Sequence, residues 1–90
     1  MNEIQKYISK NESKMLEDLF SLIRIPSISA KPEHHDDMLA CAERWAQLLI
    51  EAGADEALVM PSKGNPIVFG QKTVDPTAKT VFIYAHYDVM

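Results

Sequence analysis

An unbroken apolar run followed at once by a histidine constrains the fold of this chain most. Val81 to Ala85 is an uninterrupted stretch of five apolar residues, no longer one occurs in the sequence, and Thr80 precedes it. A strand that is apolar throughout, rather than at alternate positions, is typical of strands buried on both faces. Such strands lie in the middle of α/β sheets, with helices above and below. The sequence therefore predicts an α/β fold with a buried central strand over residues 80–85.

The N-terminal part of the chain predicts an amphipathic helix. Apolar residues recur at spacings of three and four from Ser13 to Arg24. Pro26 disfavours helical backbone at the residue before it, so we expect this helix to end near Arg24. A similar stripe begins at Ile4, and Asn2 has a glutamine three residues later, as in a helix-capping pair. We expect residues 11–13 to interrupt or kink the two stripes.

A second amphipathic helix and a hairpin are predicted between the first helix and the apolar run. The second helix has an apolar and a polar face between Asp36 and Glu51, with Pro32 near its start and Gly53 just past its end. Two short apolar runs then flank a turn, Ala57–Met60 and Pro66–Gly70. This pattern predicts a β-hairpin.

Composition and charge exclude several classes of protein. Thirteen acidic and nine basic residues give a net charge of −4, and the basic residues are scattered, which argues against nucleic acid as a partner. Cys41 is the single cysteine, so no intramolecular disulfide forms. No apolar run approaches the roughly 20 residues of a membrane span, and no signal peptide is visible. We therefore expect a cytoplasmic protein without a membrane partner.

The length of the chain and the position of its apolar run predict an incomplete domain. Ninety residues hold at most one domain, and a chain this short has a marginal core. The chain stops at Met90, just past the strand, where ligands and catalytic groups collect in open α/β sheets. We expect residues 1–90 to be the N-terminal fragment of a larger catalytic domain. The alternative is a complete mini-domain of two helices and three strands.

The candidate site is the triplet of His86, Tyr87 and Asp88. In an extended segment, residues two apart point the same way, so His86 and Asp88 are expected side by side at the strand's end. A metal-binding imidazole needs an acceptor on its second ring nitrogen, and a carboxylate can supply it. The triplet thus predicts His86 as a zinc ligand and Asp88 as its orienting partner. The alternative is a loop histidine beside a solvated acid.

Other residues whose side chains could act as ligands or nucleophiles are interpreted as structural. Adjacent histidines on a helix point about 100° apart and chelate poorly, so the run from His34 to Asp37 is interpreted as a solvated helix start. Cys41 lies on an apolar stripe and is interpreted as a small buried side chain. Ser27 and Ser29 are interpreted as loop hydroxyls, and Trp45 as a core residue.

Four segments, in order, resemble one enzyme family. They are Leu22–Ser29, the stretch from Trp45 to Gly53, Gly64–Gly70, and Val81–Val89. Together they resemble the start of the co-catalytic zinc peptidases that include carnosinase, cytosolic dipeptidases, aminoacylase, acetylornithine deacetylase, succinyl-diaminopimelate desuccinylase and carboxypeptidase G. The resemblance covers nearly the whole chain.

The resemblance implies a zinc-peptidase-like α/β catalytic domain with two zinc ions. By resemblance, His86 ligates one ion, and Asp88 is a catalytic residue that orients His86. Tyr87 is typical of the dipeptidase-like branch, which favours a small peptide or an N-acyl amino acid as substrate. Ala85 stands where glycine is common, and Met90 where the dipeptidase branch often has glutamine.

The same resemblance implies what these 90 residues lack. The other metal ligands, the general-base glutamate and the lid domain through which many members form homodimers lie further along in the family. We therefore expect the 90-residue chain alone to be inactive. Two other functions stay open: a fragment of a different metal-dependent α/β hydrolase, and a small non-catalytic α/β interaction domain.

Overall fold

A computed structural model describes residues 2–90, which form a small α/β chain of two helices and a two-stranded antiparallel sheet. The helices are α1, Glu3–Ile23, and α2, His35–Glu51. The strands are β1, Glu56–Met60, and β2, Ile67–Gln71. α2 lies against both strands and against α1. Within residues 2–90, neither helix combines the length and hydrophobicity that crossing a membrane requires.

α1 is one continuous helix that starts earlier than its strongest apolar stripe. Asn2 accepts a hydrogen bond from the Gln5 backbone N–H at 2.8 Å, and the Gln5 side chain accepts one from the Asn2 N–H at 3.1 Å. This reciprocal cap confirms the predicted pairing. The expected interruption is wrong, because α1 runs without a break through residues 11–13, where the Asn11 side chain donates to the Tyr7 carbonyl one turn earlier. The helix ends at Ile23 with Arg24 as its C-cap, which agrees with the predicted end near Arg24.

α2 confirms the second predicted helix and carries most of the small core. A short 3₁₀ turn, Pro32–His34, leads into it, and Gly53 follows its end with φ +108°, a conformation that favours glycine. Three of its residues are buried: Met38, Cys41 and Ala42. Arg44 links it to α1, since its Nε donates to the Ser21 hydroxyl at 3.0 Å.

The predicted hairpin is confirmed, with Leu58 opposite Phe69 in the antiparallel register. The sheet lies close against α2 at Gly70. A Cβ placed there would come within 2.9 Å of the Leu49 Cδ1. A residue without a side chain at this point therefore allows β2 to approach the helix.

The predicted buried central strand over residues 80–85 is wrong for this structure. Residues 80–88 have no regular secondary structure, and the side chains from Val81 to Tyr84 are 81–85% exposed. A strand needs a neighbour to hydrogen-bond with, and β1 and β2 pair with each other. In the described part of the chain, no strand is paired with the apolar run and no helix covers it. The α/β class is thus confirmed with a sheet of two strands.

Candidate functional site

His86 and Asp88 lie side by side, as the alternation of an extended segment predicts. The His86 Nδ1 is 2.8 Å from the Asp88 Oδ1. An ionised carboxylate only accepts hydrogen bonds, so the imidazole Nδ1 carries the hydrogen and donates it. The other ring nitrogen, Nε2, is then the one with a free lone pair. The His86 side chain is 82% exposed, which leaves this nitrogen open to a ligand.

The second oxygen of Asp88 is held by a residue from a distant part of the chain. The Ser29 hydroxyl donates to the Asp88 Oδ2 at 2.6 Å, across 59 residues of sequence. The bond with Ser29, and after it the one with His86, lowers the pKa of Asp88 below its usual range. The carboxyl group is therefore held in its charged, accepting form.

The backbone beside the pair is anchored to the connection between α1 and α2. The Val89 N–H donates to the Ser27 carbonyl at 2.9 Å, and Ile28 and Val89 form an isolated parallel bridge. The Ser27 hydroxyl, which is fully buried, donates to the Tyr87 carbonyl at 3.3 Å. Residues 27–29 therefore fix residues 87–89 in place.

Tyr87 ties the same segment to the hairpin and to α2. Its hydroxyl donates to the Pro66 carbonyl at 2.6 Å, just before β2. Its own carbonyl lies 3.7 Å from the Cys41 Sγ on α2. Burial is the main cause that raises the pKa of the Tyr87 phenol, with smaller effects from Cys41 and Asp88. The connection between the helices, the hairpin and α2 thus all contact Tyr87 or Val89, the residues next to Asp88 in the sequence.

The arrangement fits one ligand of a metal site. Imidazole nitrogen is a common zinc ligand, and zinc-bound histidines typically donate their second N–H to a carboxylate or carbonyl. His86 and Asp88 have that geometry, with Nε2 exposed. Within residues 2–90, no group of three or more histidine, cysteine, aspartate or glutamate side chains is arranged to hold a metal ion. Among these residues, the pair could supply one ligand and its orienting group.

The other candidate residues lie apart from this pair. His34 binds Asp37 through its Nδ1 at 2.8 Å at the start of α2, in a contact within one helical turn. Cys41 is 1% exposed, which confirms it as a buried side chain. Burial raises the pKa of its thiol, partly offset by a hydrogen bond with Ser27. Trp45 is half-buried on α2.

Sequence reasoning missed Ser27 and Ser29, which are more than loop hydroxyls. One anchors the Tyr87 backbone and the other holds the Asp88 carboxylate. The serines share the two-residue spacing of the histidine and aspartate, and this is the only local signal that points to them. The contacts join residues about 60 positions apart, which a single sequence does not pair.

Comparison with known proteins adds no assignment to this geometry. No protein-family model and no solved structure matches the chain.

Proposed function

We propose that this chain contributes His86 as a zinc ligand, and Asp88 as its orienting carboxylate, to a metal-dependent peptidase or aminoacyl amide hydrolase. The observation that carries the proposal is the 2.8 Å contact between the His86 Nδ1 and the Asp88 Oδ1, with the rest of the ring exposed. Losing such an orienting partner typically costs 10–100-fold in metal affinity or activity. The resemblance to co-catalytic zinc peptidases supports this reaction class.

Within that reaction, His86 would bind a metal ion and Asp88 would orient His86. Asp88 fixes the imidazole tautomer and makes the ring a better electron donor. A pair of bound zinc ions would polarise the scissile carbonyl and lower the pKa of a bridging water to about 7. The general base and the other ligands would come from residues outside these 90. By the same resemblance, we propose that the substrate is a small peptide or an N-acyl amino acid. We also propose a homodimeric state and a cytoplasmic location.

Two matched histidine substitutions test the proposal in a polypeptide that carries these residues together with the remaining ligands. His86→Ala should remove most dipeptide hydrolysis and lower the zinc content, because it deletes a ligand. His35→Ala is the control, since His35 is exposed at the start of α2. Its turnover should stay near that of the unchanged protein. The 90-residue chain alone should show no zinc-dependent turnover. Near-normal activity of the His86→Ala variant would contradict the ligand assignment.

A second candidate function is a non-catalytic interaction domain. It is favoured by the apolar segment from Val81 to Tyr84, whose side chains are 81–85% exposed. The open reading frame separates the two candidates. The peptidase proposal expects an acidic pair of glutamates and a distant histidine to follow, whereas another metal-dependent hydrolase would continue with a different ligand set. A stop codon directly after Met90 would favour the interaction domain.

A further inference from the structure

We propose that Ser29 is a positioning residue for the His86 site. Its hydroxyl holds the Asp88 carboxylate so that the Oδ1 faces the His86 Nδ1 and the Nε2 stays free for a divalent metal ion. The metal part of this inference rests on the proposed function. The contact that carries it is the hydrogen bond from the Ser29 Oγ to the Asp88 Oδ2, 2.6 Å long.

The two oxygens of Asp88 are engaged by different partners, and this fixes the carboxylate's rotation. The final torsion of an aspartate side chain is broad and costs little to change. A single contact with His86 would leave the carboxylate free to turn about that torsion. Ser29 on one oxygen at 2.6 Å and His86 on the other at 2.8 Å define its plane. Removing the hydroxyl should therefore loosen the imidazole contact as well.

The length of the Ser29 bond marks it as strong for its class. Hydrogen bonds from a hydroxyl to a charged carboxylate span about 2.5–2.7 Å and are roughly twice as strong as neutral ones. The 2.6 Å contact lies within that range. The hydroxyl therefore interacts with the charged form that accepts from the imidazole.

Ser29 is itself held in place by backbone contacts. The neighbouring Ile28 forms the parallel bridge with Val89, and the Lys31 N–H donates to the Ile28 carbonyl at 3.3 Å. The serine thus lies in a turn that is fixed against the segment carrying Asp88. Ser27 differs, because its hydroxyl donates to the Tyr87 backbone carbonyl, whereas the Ser29 hydroxyl donates to the carboxylate. This difference provides a matched control within the same connection.

The tautomer of His86 reports on this contact without any metal. In the 90-residue chain labelled with ¹⁵N at histidine, two-bond ring correlations at mildly alkaline pH distinguish hydrogen on Nδ1 from hydrogen on Nε2. The unchanged chain should carry it on Nδ1. Ser29→Ala should shift the ring toward the Nε2–H form, and Ser29→Thr should keep the Nδ1–H form. Ser27→Ala should shift the ring less than Ser29→Ala, because the bond from the Val89 N–H to the Ser27 carbonyl does not need the hydroxyl. Backbone amide spectra confirm that each variant keeps its fold.

Three results would overturn the positioning role. They are an Nε2–H ring in the unchanged chain, an unaltered tautomer in Ser29→Ala, and a shift in Ser27→Ala equal to that in Ser29→Ala. A zinc titration of the same samples separates this inference from the proposed function. Ser29→Ala should weaken zinc binding at His86 by up to about tenfold, the lower end of the loss for an outer partner of a ligand. A tautomer that responds without any zinc effect at His86 would refute the metal role and leave the positioning intact.

Discussion

Carboxylates fixed by hydrogen-bond donors recur in this structure. Asp88 accepts from Ser29 and His86, and its pKa is lowered. Asp55 accepts from the Thr73 N–H at 2.8 Å and from Lys72 at 3.2 Å, and these bonds lower its pKa, with the Thr73 bond contributing most. The Asp55 contacts join the start of the hairpin to the chain leaving β2. One carboxylate therefore closes the hairpin while another orients the candidate ligand.

The lowered pKa of Asp55 predicts a loss of stability in acid. A carboxyl group whose folded pKa lies below its unfolded value stabilises the fold above the unfolded pKa. That contribution is lost as the pH falls through the folded pKa. Asp55→Asn should therefore lower the urea midpoint near neutral pH and reduce its decline in acid.

The matched control for this prediction is Asp75→Asn. The pKa of Asp75 is also lowered, by the backbone and hydroxyl of Thr77 two residues away. Because this contact is local, it can also form in the unfolded chain. The pH dependence of the urea midpoint should therefore change less in Asp75→Asn than in Asp55→Asn. Equal acid sensitivity in the Asp55→Asn variant and the unchanged chain would contradict this account.

The helices and the hairpin could be predicted from the sequence because their signals are local. Helical periodicity, the Asn2 cap and Gly53 gave α1 and α2, and paired apolar runs gave the hairpin. The apolar run at 81–85 indicates burial only when other elements cover it, and here none does among residues 2–90. Likewise, the Ser29 contact depends on tertiary packing across 59 residues. Local patterns predicted the His86–Asp88 pair but not what holds it.

The two ends of α1 differ in what stabilises them, which a cap substitution can show. Ile4 and Tyr7 near the start are more than 60% exposed, so this end depends on its cap rather than on packing. Asn2→Ala should destabilise the helix start by about 1 kcal/mol. Amide exchange should quicken in the first turns of α1 and stay unchanged in α2.

Asn11→Ala is the control of opposite sign. Asn11 lies inside α1, where alanine has the higher helix propensity, so the variant should be stabilised by up to about 0.7 kcal/mol. Unchanged or slower exchange in the Asn2→Ala variant would show that the cap does not hold this end of the helix. Faster exchange in Asn11→Ala would contradict the propensity argument.

At the scale of the whole molecule, the chain exposes more surface than a typical globular protein of its mass. Its accessible surface is 7402 Å², whereas a folded monomer of this mass has about 5300 Å². Its radius of gyration is 15.1 Å, against about 12 Å expected for this length. Many large apolar residues are exposed, including the segment from Val81 to Tyr84. Such surface favours association.

We predict that the 90-residue chain self-associates through this segment. Residues 80–85 carry no charge, proline or glycine, and an exposed stretch of this kind pairs readily with another copy. Ile83→Lys should shift the chain toward monomer in size-exclusion chromatography with light scattering. Val74→Lys is the control, because Val74 is 88% exposed but has no apolar neighbours in the sequence. A concentration-independent monomer of the unchanged chain would contradict the prediction.

The claim that His86 is an oriented metal ligand is tested most directly by titrating the chain with zinc while observing the ring nitrogens of His34, His35 and His86. We predict that the His86 Nε2 responds at the lowest zinc concentrations, because the Nδ1 of the same ring is already held by Asp88 at 2.8 Å. Asp88→Ala should raise the zinc concentration needed by about 10–100-fold. A response confined to His34 or His35, with the His86 ring unchanged throughout, would contradict it.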